Sequence, residues 1–284
     1  MNENIEISVL IVTYNNSGTI AECLDSLKEQ NYKSFEILLR DNASDDNTVD
    51  IVNSYDEVKL FATDENIGFG AAMNFLAVKA SGKYLYILNP DCVCPQSMLQ
   101  QLYDFARKHT GAISPALYYP DGRRQDSARE LPTYESIIFS RRSPLYLLGF
   151  TTTSSAGYIA PEQPTKVPAV SATALFIPRT TFECLDGFDD RFFMYGEDLD
   201  LCKRLGDDGY DIWYLPDIKL KHVLGASAHK AELKTAYHHH LSIYKYFNKH
   251  YPHNVIRNSL LAILLTGGIV FTVILKIIGW KKRR

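Results

Sequence analysis

The feature that most constrains the fold is an alternation of short apolar runs and amphipathic segments through the first 88 residues. The apolar runs are typical of buried strands, and the segments between them carry apolar residues at helical spacing. The predicted strands are residues 5–13, 35–39, 58–62 and 84–88, and the predicted helices follow Ser17 and span 48–55 and 69–80. Strands and helices of this length in alternation favour an α/β fold with a mainly parallel, doubly wound sheet and right-handed crossovers.

The rest of the chain is less regular. Its predicted elements are a helix at 95–109, a strand at 112–119, an ordered stretch at 167–178, a strand at 210–214 and a helix at 230–250. Between Arg123 and Pro168 the periodicity is lost, and arginines and prolines accumulate together with a Thr/Ser run at 151–155. We expect this segment to be a substrate-facing loop or lid, although a solvated insertion without function has the same composition.

Composition narrows the class of protein. Hydrophobic residues make up 46% and charged residues 22% of the 284 residues, as in ordinary globular proteins. A formal charge of −3 without a basic stripe excludes general nucleic-acid binding. The five cysteines show neither a disulfide framework nor a zinc spacing, which indicates a reducing compartment. The N-terminus lacks the basic region of a secretory signal, so we expect the α/β part to stay in the cytoplasm.

The C-terminal segment differs in kind. An uncharged run of about 18 residues, 258–275, would reach roughly 27 Å as a helix, and Lys276 and the basic tail Lys281–Arg284 follow it. A single span would place this tail outside, against the positive-inside tendency. We therefore expect a helix lying in the membrane surface, broken near Gly267–Gly268 and tethered to anionic headgroups. A true span and a soluble oligomerisation helix are the alternatives.

Short polar side chains follow the first two predicted strands. Thr13, Tyr14 and Asn15 end the first strand, and Asp41 ends the second, at the sheet edge where open α/β folds bind nucleotides. Asp41 is able to accept a hydrogen bond from a pyrimidine edge. The glycine-rich turn 66–70 precedes the next helix and lets the backbone approach a ligand closely. The residues 44–47 are equally explained as helix caps.

Residues 89–91, Asn-Pro-Asp, follow the fourth predicted strand and suggest a metal site. A departing diphosphate needs charge neutralisation, which Mg²⁺ or Mn²⁺ supplies when one carboxylate and the diphosphate oxygens hold it. Asp91 is the predicted ligand. His222 is a candidate second ligand, although a lone histidine beside Lys221 is more often a surface or packing residue.

Three carboxylates, Glu197, Asp198 and Asp200, crowd the predicted start of a helix after the aromatic loop 192–195. The helix dipole favours acidic residues there, so a well-capped amphipathic helix explains them without any chemistry. The alternative is a displacement reaction in which Asp198 removes the proton of an acceptor alcohol as its oxygen attacks a sugar. Such a direct displacement inverts the anomeric centre.

Together and in this order, these motifs resemble the family 2 glycosyltransferases with a GT-A fold, especially their rhamnosyltransferase-like branch. The resembling pieces are SVLIVTYN at 8–15, DNAS at 41–44, ENIGFG at 65–70, LNPD at 88–91, GFDDRFFMYGED at 187–198, and His222 with Ser227. The resemblance implies a nucleotide-sugar site, a cation site, a catalytic base and an acceptor side. The nucleotide-sugar site comprises Thr13, Tyr14, Asn15, Asp41, Asn66, Gly68, Asn74 and Asn89. The cation site comprises Asp91 and His222, the base is Asp198, and Glu197 lies on the acceptor side.

One departure from the family pattern is Asn89, which stands where the Asp-x-Asp signature has its first carboxylate and so puts the strength of metal dependence in doubt. The branch implies dTDP-L-rhamnose as the favoured donor and a saccharide or polyprenyl-linked saccharide acceptor, used at the cytoplasmic face of a bacterial inner membrane. A UDP-sugar donor, a nucleotidyltransferase and a non-catalytic membrane-tethered scaffold are the competing interpretations.

The resemblance also divides the chain. We expect a GT-A catalytic domain at 1–228, a helical region at 229–257 and a membrane-associated segment at 258–284. The long helix at 230–250 is of the kind that pairs two chains, so the sequence leaves a homo-oligomer open.

Overall fold

A computed structural model of the chain describes residues 5–139, 157–223 and 232–277. The strands are β1 Ile7–Thr13, β2 Phe35–Asn42, β3 Val58–Thr63, β4 Tyr84–Leu88, β5 Cys92–Val93, β6 Ala112–Tyr118, β7 Ala128–Arg129, β8 Tyr158–Ile159, β9 Thr165–Lys166, β10 Ala169–Val170, β11 Ala174–Pro178 and β12 Ile212–His222. The helices are α1 Ile20–Lys28, α2 Thr48–Val52, α3 Phe69–Lys79, α4 Met98–Ala106, α5 Tyr134–Ile138, α6 Arg179–Cys184, α7 Glu197–Asp207, α8 Glu232–His250 and α9 Val255–Ile277.

The main sheet has the order β3-β2-β1-β4-β11-β6-β12-β5, with β9 paired to β12. The pairs β1–β2, β1–β4, β2–β3 and β6–β12 are parallel, whereas β11 and β5 pair antiparallel with their neighbours. The predicted α/β fold with a mainly parallel sheet is confirmed, and the antiparallel strands make it a mixed sheet. Because β11 runs against both β4 and β6, strands β1, β2, β4, β6 and β12 all end at the same edge.

The helices cover both faces of the sheet, which explains why the central strands are apolar along their whole length. In β1, Val9 and Ile11 face the layer of α1 and α4, whereas Leu10 and Val12 face the layer of α3 and α7. This alternation follows from the period of two in a strand. The strands that end at this common edge are therefore held by two separate cores, one on each face of the sheet.

Strand β12 is longer than predicted. It runs for 11 residues to His222, with an irregularity in its pairing to β6 between Leu215 and Lys219. Pro216 has no backbone N–H to donate, so the sequence suggests that the strand ends there. The pairing of β12 with β6 nevertheless resumes at Lys219, beyond the irregularity. His222 is consequently the last residue of an interior strand rather than part of a loop after residue 215.

Other helix and strand boundaries differ from those predicted from the sequence. Thr19, not Ser17, occupies the N-cap of α1, and the amide of Ser17 donates to Asp46 Oδ2 at 3.1 Å. The helix predicted at 95–109 begins at Met98, and the stretch 167–178 divides into β10 and β11.

The irregular segment 123–168 is partly ordered. Within it, β7 pairs with β8 and β10 in a second, three-stranded sheet, and α5 carries a capping box on Thr133. Arg141, Arg142 and the run 151–155 lie outside the described residues.

The helices α8 and α9 pack on each other and on α5. Their shared cluster contains Tyr134, Phe192, Tyr246, Phe247, Leu261 and Leu265. Helix α9 continues through Gly267–Gly268, so the predicted break there is wrong. Within the described ranges, no helix is both long and apolar enough to cross a membrane. The basic tail 281–284 lies outside them.

Candidate active site

The predicted metal residues Asp91 and His222 meet at the carboxyl edge of the sheet. Asp91 follows β4 and His222 ends β12, and His222 Nε2 lies 3.2 Å from Asp91 Oδ1. The amide of Val223 donates to the carbonyl of Asp91 at 2.9 Å, which fixes the two strand ends together. Both side chains are largely buried, with 13% of Asp91 and 8% of His222 exposed.

Gln125 determines how the histidine can act. Its amide nitrogen donates to the backbone carbonyl of His222 at 2.8 Å, so its Oε1, 2.7 Å from His222 Nδ1, accepts a hydrogen bond from the Nδ1–H of the ring. The neutral ring then presents a lone pair at Nε2 to the carboxylate of Asp91. Two acceptors this close need a cation between or beside them, either a proton on the ring or a metal ion. The donor set of one imidazole and one carboxylate fits a divalent cation.

Cys92 is the third side chain near this pair. Its sulfur lies within 4.8 Å of the ligand atoms of Asp91 and His222. However, Cys92 is fully buried in the core, and burial, reinforced by the charge of Asp91, raises the pKa of its thiol well above the ordinary value. Mg²⁺ and Mn²⁺ prefer oxygen and imidazole ligands to sulfur, so the chemistry of the donor set favours Asp91 and His222.

The predicted base Asp198 lies in the first turn of α7. Gly196 precedes the helix in the left-handed conformation, with φ 82°. Asp198 Oδ1 accepts from the amide of Leu199 at 2.8 Å, and Oδ2 accepts from Arg129 Nη2 at 2.9 Å. Burial acts to lower the pKa of Arg129, but the charge of Asp198, together with smaller contributions from neighbouring groups, gives a net increase in that pKa. The ion pair with Arg129 orients the Asp198 carboxylate.

Glu197, beside the base, is in a different state. Only 8% of its surface is exposed, and its Oε2 is buried without a hydrogen-bond partner among the described residues. Burial, and then the charge of Asp198, raise the pKa of Glu197 above its usual range. The two adjacent carboxyl groups therefore lie in different environments, Glu197 desolvated with a raised pKa and Asp198 paired with Arg129, and such contrasts are common at catalytic sites.

Residues 125–129 connect the two parts of the site. Gln125 contacts His222, and Arg129, four residues later, contacts Asp198. Four residues span at most about 14 Å between Cα atoms. Sequence analysis missed both residues because they lie in the segment without periodicity; the only signal was the accumulation of arginines there.

The predicted nucleotide residues at the ends of β1 and β2 form a hydrogen-bonded unit. Asp41 is 1% exposed and accepts from Thr13 Oγ1 at 2.8 Å and from the amide of Ser44 at 2.8 Å. Asn15, with φ 56°, accepts from the amide of Asp45 at 2.9 Å. Tyr14 is 45% exposed at the tip of this unit. The polar groups thus shape the two loops, and Tyr14 is left free to contact a ligand.

The glycine-rich turn closes against the aromatic loop. Asn66 Oδ1 accepts from the amide of Gly68 at 3.0 Å. Gly68 has φ 87°, and a Cβ there would lie 2.6 Å from the carbonyl oxygen of Phe193. The amide of Phe69 donates to that same carbonyl at 3.1 Å. The close approach predicted for a ligand is therefore made by the backbone of the aromatic loop.

Asn74 and Asn89 complete the predicted set. Asn74 Nδ2 donates to the carbonyl of Phe188 at 2.7 Å and to Asp190 Oδ1 at 2.8 Å, so its amide ties α3 to the start of the aromatic loop. The backbone amide of Asn89 donates to Thr173 at 2.9 Å, and its half-buried side chain lies two residues before Asp91. Ser227 lies outside the described residues.

Comparison with known proteins places the chain in a known family. Residues 8–160 match the model of glycosyl transferase family 2. Over 263 residues, 84% of this chain and 82% of the relative, the sequence is 30% identical to the N-acetylglucosaminyl-diphospho-decaprenol L-rhamnosyltransferase of Mycobacterium tuberculosis.

Solved structures share the fold at lower identity. The mannosyltransferase PcManGT of Pyrobaculum calidifontis, in complex with GDP-Man and Mn²⁺, matches 94% of this chain and 75% of its own with a TM-score of 0.59 and 18% identity. S. aureus TarS 1–349, in complex with UDP-GlcNAc, matches 92% of this chain and 71% of its own, also with a TM-score of 0.59 and 18% identity. The α/β architecture described above is thus that of GT-A-like enzymes. The family match and the long alignment together show that the chain belongs to the family 2 glycosyltransferases.

Proposed function

We propose that this chain is an inverting glycosyltransferase that moves L-rhamnose from dTDP-L-rhamnose to a saccharide or a polyprenyl-linked saccharide. The main observation behind the proposal is that the short segment 125–129 contacts two groups. One is the Asp91–His222 pair, whose facing acceptor atoms need a cation, and the other is the oriented carboxylate of Asp198. The mycobacterial relative, an L-rhamnosyltransferase by name, supports the sugar.

Donor binding is assigned to the edge formed by β1, β2 and the turn before α3. Tyr14 offers an exposed ring on which a nucleobase can stack, and the buried Thr13–Asp41 pair holds the loop beneath it. The loops that carry Asn15, Asn66, Gly68 and Asn89, and Asn74 of helix α3, are assigned to the same edge. A UDP-sugar is the alternative donor, because the TarS structure of similar fold binds UDP-GlcNAc.

Asp91 and His222 would hold a Mg²⁺ or Mn²⁺ ion near the donor diphosphate. Such an ion neutralises the negative charge that develops on the leaving nucleoside diphosphate. Gln125 orients the ring so that Nε2 faces Asp91. Because Asn89 stands in place of a second carboxylate, Asp91 and His222 would be the protein ligands of this ion.

Asp198 acts as the base that takes the proton of the acceptor hydroxyl. Its Oδ2 is oriented by Arg129, and the start of α7 holds the backbone around it. A carboxylate that attracts the acceptor proton on the face opposite the leaving group gives inversion at the anomeric carbon. Glu197, next to it, lies on the acceptor side, where a neutral carboxyl can donate a hydrogen bond to a sugar oxygen.

We also propose attachment to the cytoplasmic face of a bacterial inner membrane through residues 258–284. Helix α9 exposes Ile256, Leu260 and Ile263, each more than 60% accessible, at a spacing of four and three residues. This stripe is suited to a lipid surface, and the basic tail would add attraction to anionic headgroups. A lipid-linked acceptor would be reached at that surface.

The test is a donor panel with the detergent-solubilised protein: dTDP-rhamnose, UDP-GlcNAc and GDP-mannose, each with Mg²⁺, Mn²⁺ or EDTA. We expect selective release of dTDP from dTDP-rhamnose and its loss in EDTA. Release of diphosphate from a nucleoside triphosphate and a sugar 1-phosphate, added as a further arm of the panel, would instead indicate a nucleotidyltransferase. Absence of binding to every nucleotide sugar would support the scaffold.

Asp198→Asn tests the base. Transfer should fall by about 10²–10⁴-fold, the range for loss of a general base, while dTDP binding measured by calorimetry is retained. Asp208→Asn, at the exposed far end of the same helix, is the matched control and should transfer normally. Near-normal transfer by Asp198→Asn would remove the base assignment.

A further inference from the structure

Asp200 is a buried carboxylate that the proposed reaction does not use. It lies two residues after the base, is fully buried, and binds groups from two helices. Arg204, on the same helix, approaches Oδ2 at 2.8 Å, whereas Lys249 and His250, from the last turn of α8, approach Oδ1 at 2.6 and 2.8 Å. Although burial opposes it, hydrogen bonds from His250 and Lys249 lower the pKa of Asp200. The first turn of α7 is thus attached to the end of α8.

The same residues hold the loop that leads into the base. Lys249 Nζ also lies 2.7 Å from Asp189 Oδ2, so one ammonium group joins both ends of the segment 189–200. Arg204 donates to the carbonyl of Gly187 at 2.8 Å. We call Asp189, Asp200, Arg204, Lys249 and His250 the α7–α8 latch.

Helix α8 contacts the middle of this loop as well. Ser242 Oγ donates to the carbonyl of Met194 at 3.0 Å, and Phe192 is buried against Tyr246 and Phe247. On its other side, the loop accepts the amide of Phe69 at the carbonyl of Phe193. The aromatic loop is therefore fixed between the donor-side turn and helix α8, with the base at its end.

We propose that Lys249, with His250, is a positioning residue. By joining Asp189 to Asp200, Lys249 fixes the aromatic loop and the first turn of α7. It thereby affects the rate of sugar transfer rather than the affinity for the donor. This inference rests on the proposed function in that Asp198 is the group being positioned. A displacement of about 1 Å in a reacting group can reduce a rate by about 10²-fold. Donor binding is assigned to β1, β2 and the turn at 66–70, whereas the ion pairs of Lys249 are with Asp189 and Asp200.

Removing Asp200 is a poor test, because it would leave the largely buried guanidinium of Arg204 without its carboxylate and would therefore destabilise the fold. Lys249→Met is better, since Lys249 keeps only 21% of its side chain exposed and Met preserves most of its volume. Lys249→Arg is the rescue variant. Lys108→Met, at an exposed lysine after α4, is the matched control.

We expect kcat of Lys249→Met to fall by about 10–100-fold, with the donor KM and the dTDP dissociation constant within twofold of wild type. Lys249→Arg should recover most of the rate, and Lys108→Met should behave as wild type. Hydrogen exchange of the amides in 189–200 should accelerate in Lys249→Met alone. Unchanged kcat, or a parallel loss of dTDP binding, would overturn the inference.

The exchange measurement separates the two proposals. If the wild type transfers no sugar while hydrogen exchange in 189–200 still accelerates in Lys249→Met, the proposed function is wrong. The role of the α7–α8 latch in holding the segment 189–200 is then still supported. If wild type transfers sugar and exchange is unchanged in the variant, the latch fails and the function remains.

Discussion

Three carboxyl groups within one turn of helix α7 have three different environments. Glu197 Oε2 is buried with no hydrogen-bond partner in the described part of the chain, Asp198 pairs with Arg129, and Asp200 is fully buried among cationic side chains from α7 and α8. Their shared position at a helix N-terminus explains why acidic residues are tolerated there, but not these differences. Desolvation drives Glu197 toward its neutral form, and nearby cations hold Asp200 in its charged form.

At this scale Glu197→Gln should change how stability depends on pH. Because the pKa of Glu197 is raised above its ordinary value of 4.5 in the folded protein, the wild type loses stability as pH rises from that value through the raised one. Glutamine has no proton to lose. The melting temperature of the variant relative to wild type should therefore increase between pH 5 and pH 8.

Thermal unfolding at several pH values measures this difference. Glu162→Gln, at an exposed position, is the control and should show a constant difference across the range. A constant difference for Glu197→Gln as well would mean that Glu197 titrates as an ordinary exposed glutamate.

At the scale of secondary-structure elements, the positions of the strands are determined by the apolar runs of the sequence. The conformations of the turns are determined by contacts with residues distant in the chain. Tyr84–Leu88 is a strand with the predicted bounds, because both faces of its run are covered. The turn before α3 is set instead by the carbonyl of Phe193, more than a hundred residues away, which accepts the amide of Phe69. Glycine at position 68 is needed for that contact and not only for flexibility.

Gly68→Ala should therefore destabilise the protein and loosen the aromatic loop. Alanine is strained at φ 87°, at about 1–3 kcal/mol, and its Cβ would meet a backbone oxygen that has no side-chain freedom to move away. We expect a lower unfolding midpoint in urea. Gly18→Ala is the matched control, since a Cβ there has no heavy atom within 4 Å. Equal midpoints for the two variants would contradict the packing described here.

In the whole molecule, the C-terminal helices support the site as well as offering an apolar surface. Tyr134 donates to Asn258 Oδ1 at 2.7 Å, and Leu261 and Leu265 are buried in the cluster that contains Phe192. Among the side chains that the structure describes, the two cores of the sheet contain none from α8 or α9. The sheet is thus packed independently, whereas the aromatic loop depends on these helices.

Truncation after Asn254 separates these roles. Removing α9 deletes two buried leucines, each worth about 2–5 kcal/mol, and should lower the melting temperature and abolish flotation with anionic lipid vesicles. The triple variant Ile256→Ser, Leu260→Ser, Ile263→Ser changes only exposed side chains. It should lose flotation while keeping the wild-type melting temperature. Flotation of the truncated chain would show that the membrane contact lies elsewhere.

The sequence by itself determined the alternation of strands and helices, the polar residues at the strand ends, and the motifs that mark the family, because each is a local pattern of residue type and spacing. Tertiary structure alone decided that β12 extends to His222, that Gln125 and Arg129 reach the two halves of the site, and that Lys249 joins Asp189 to Asp200. These features are contacts between residues about 50 to 100 positions apart in the chain. No local periodicity encodes such contacts, because their energy exists only when the separate elements are packed together.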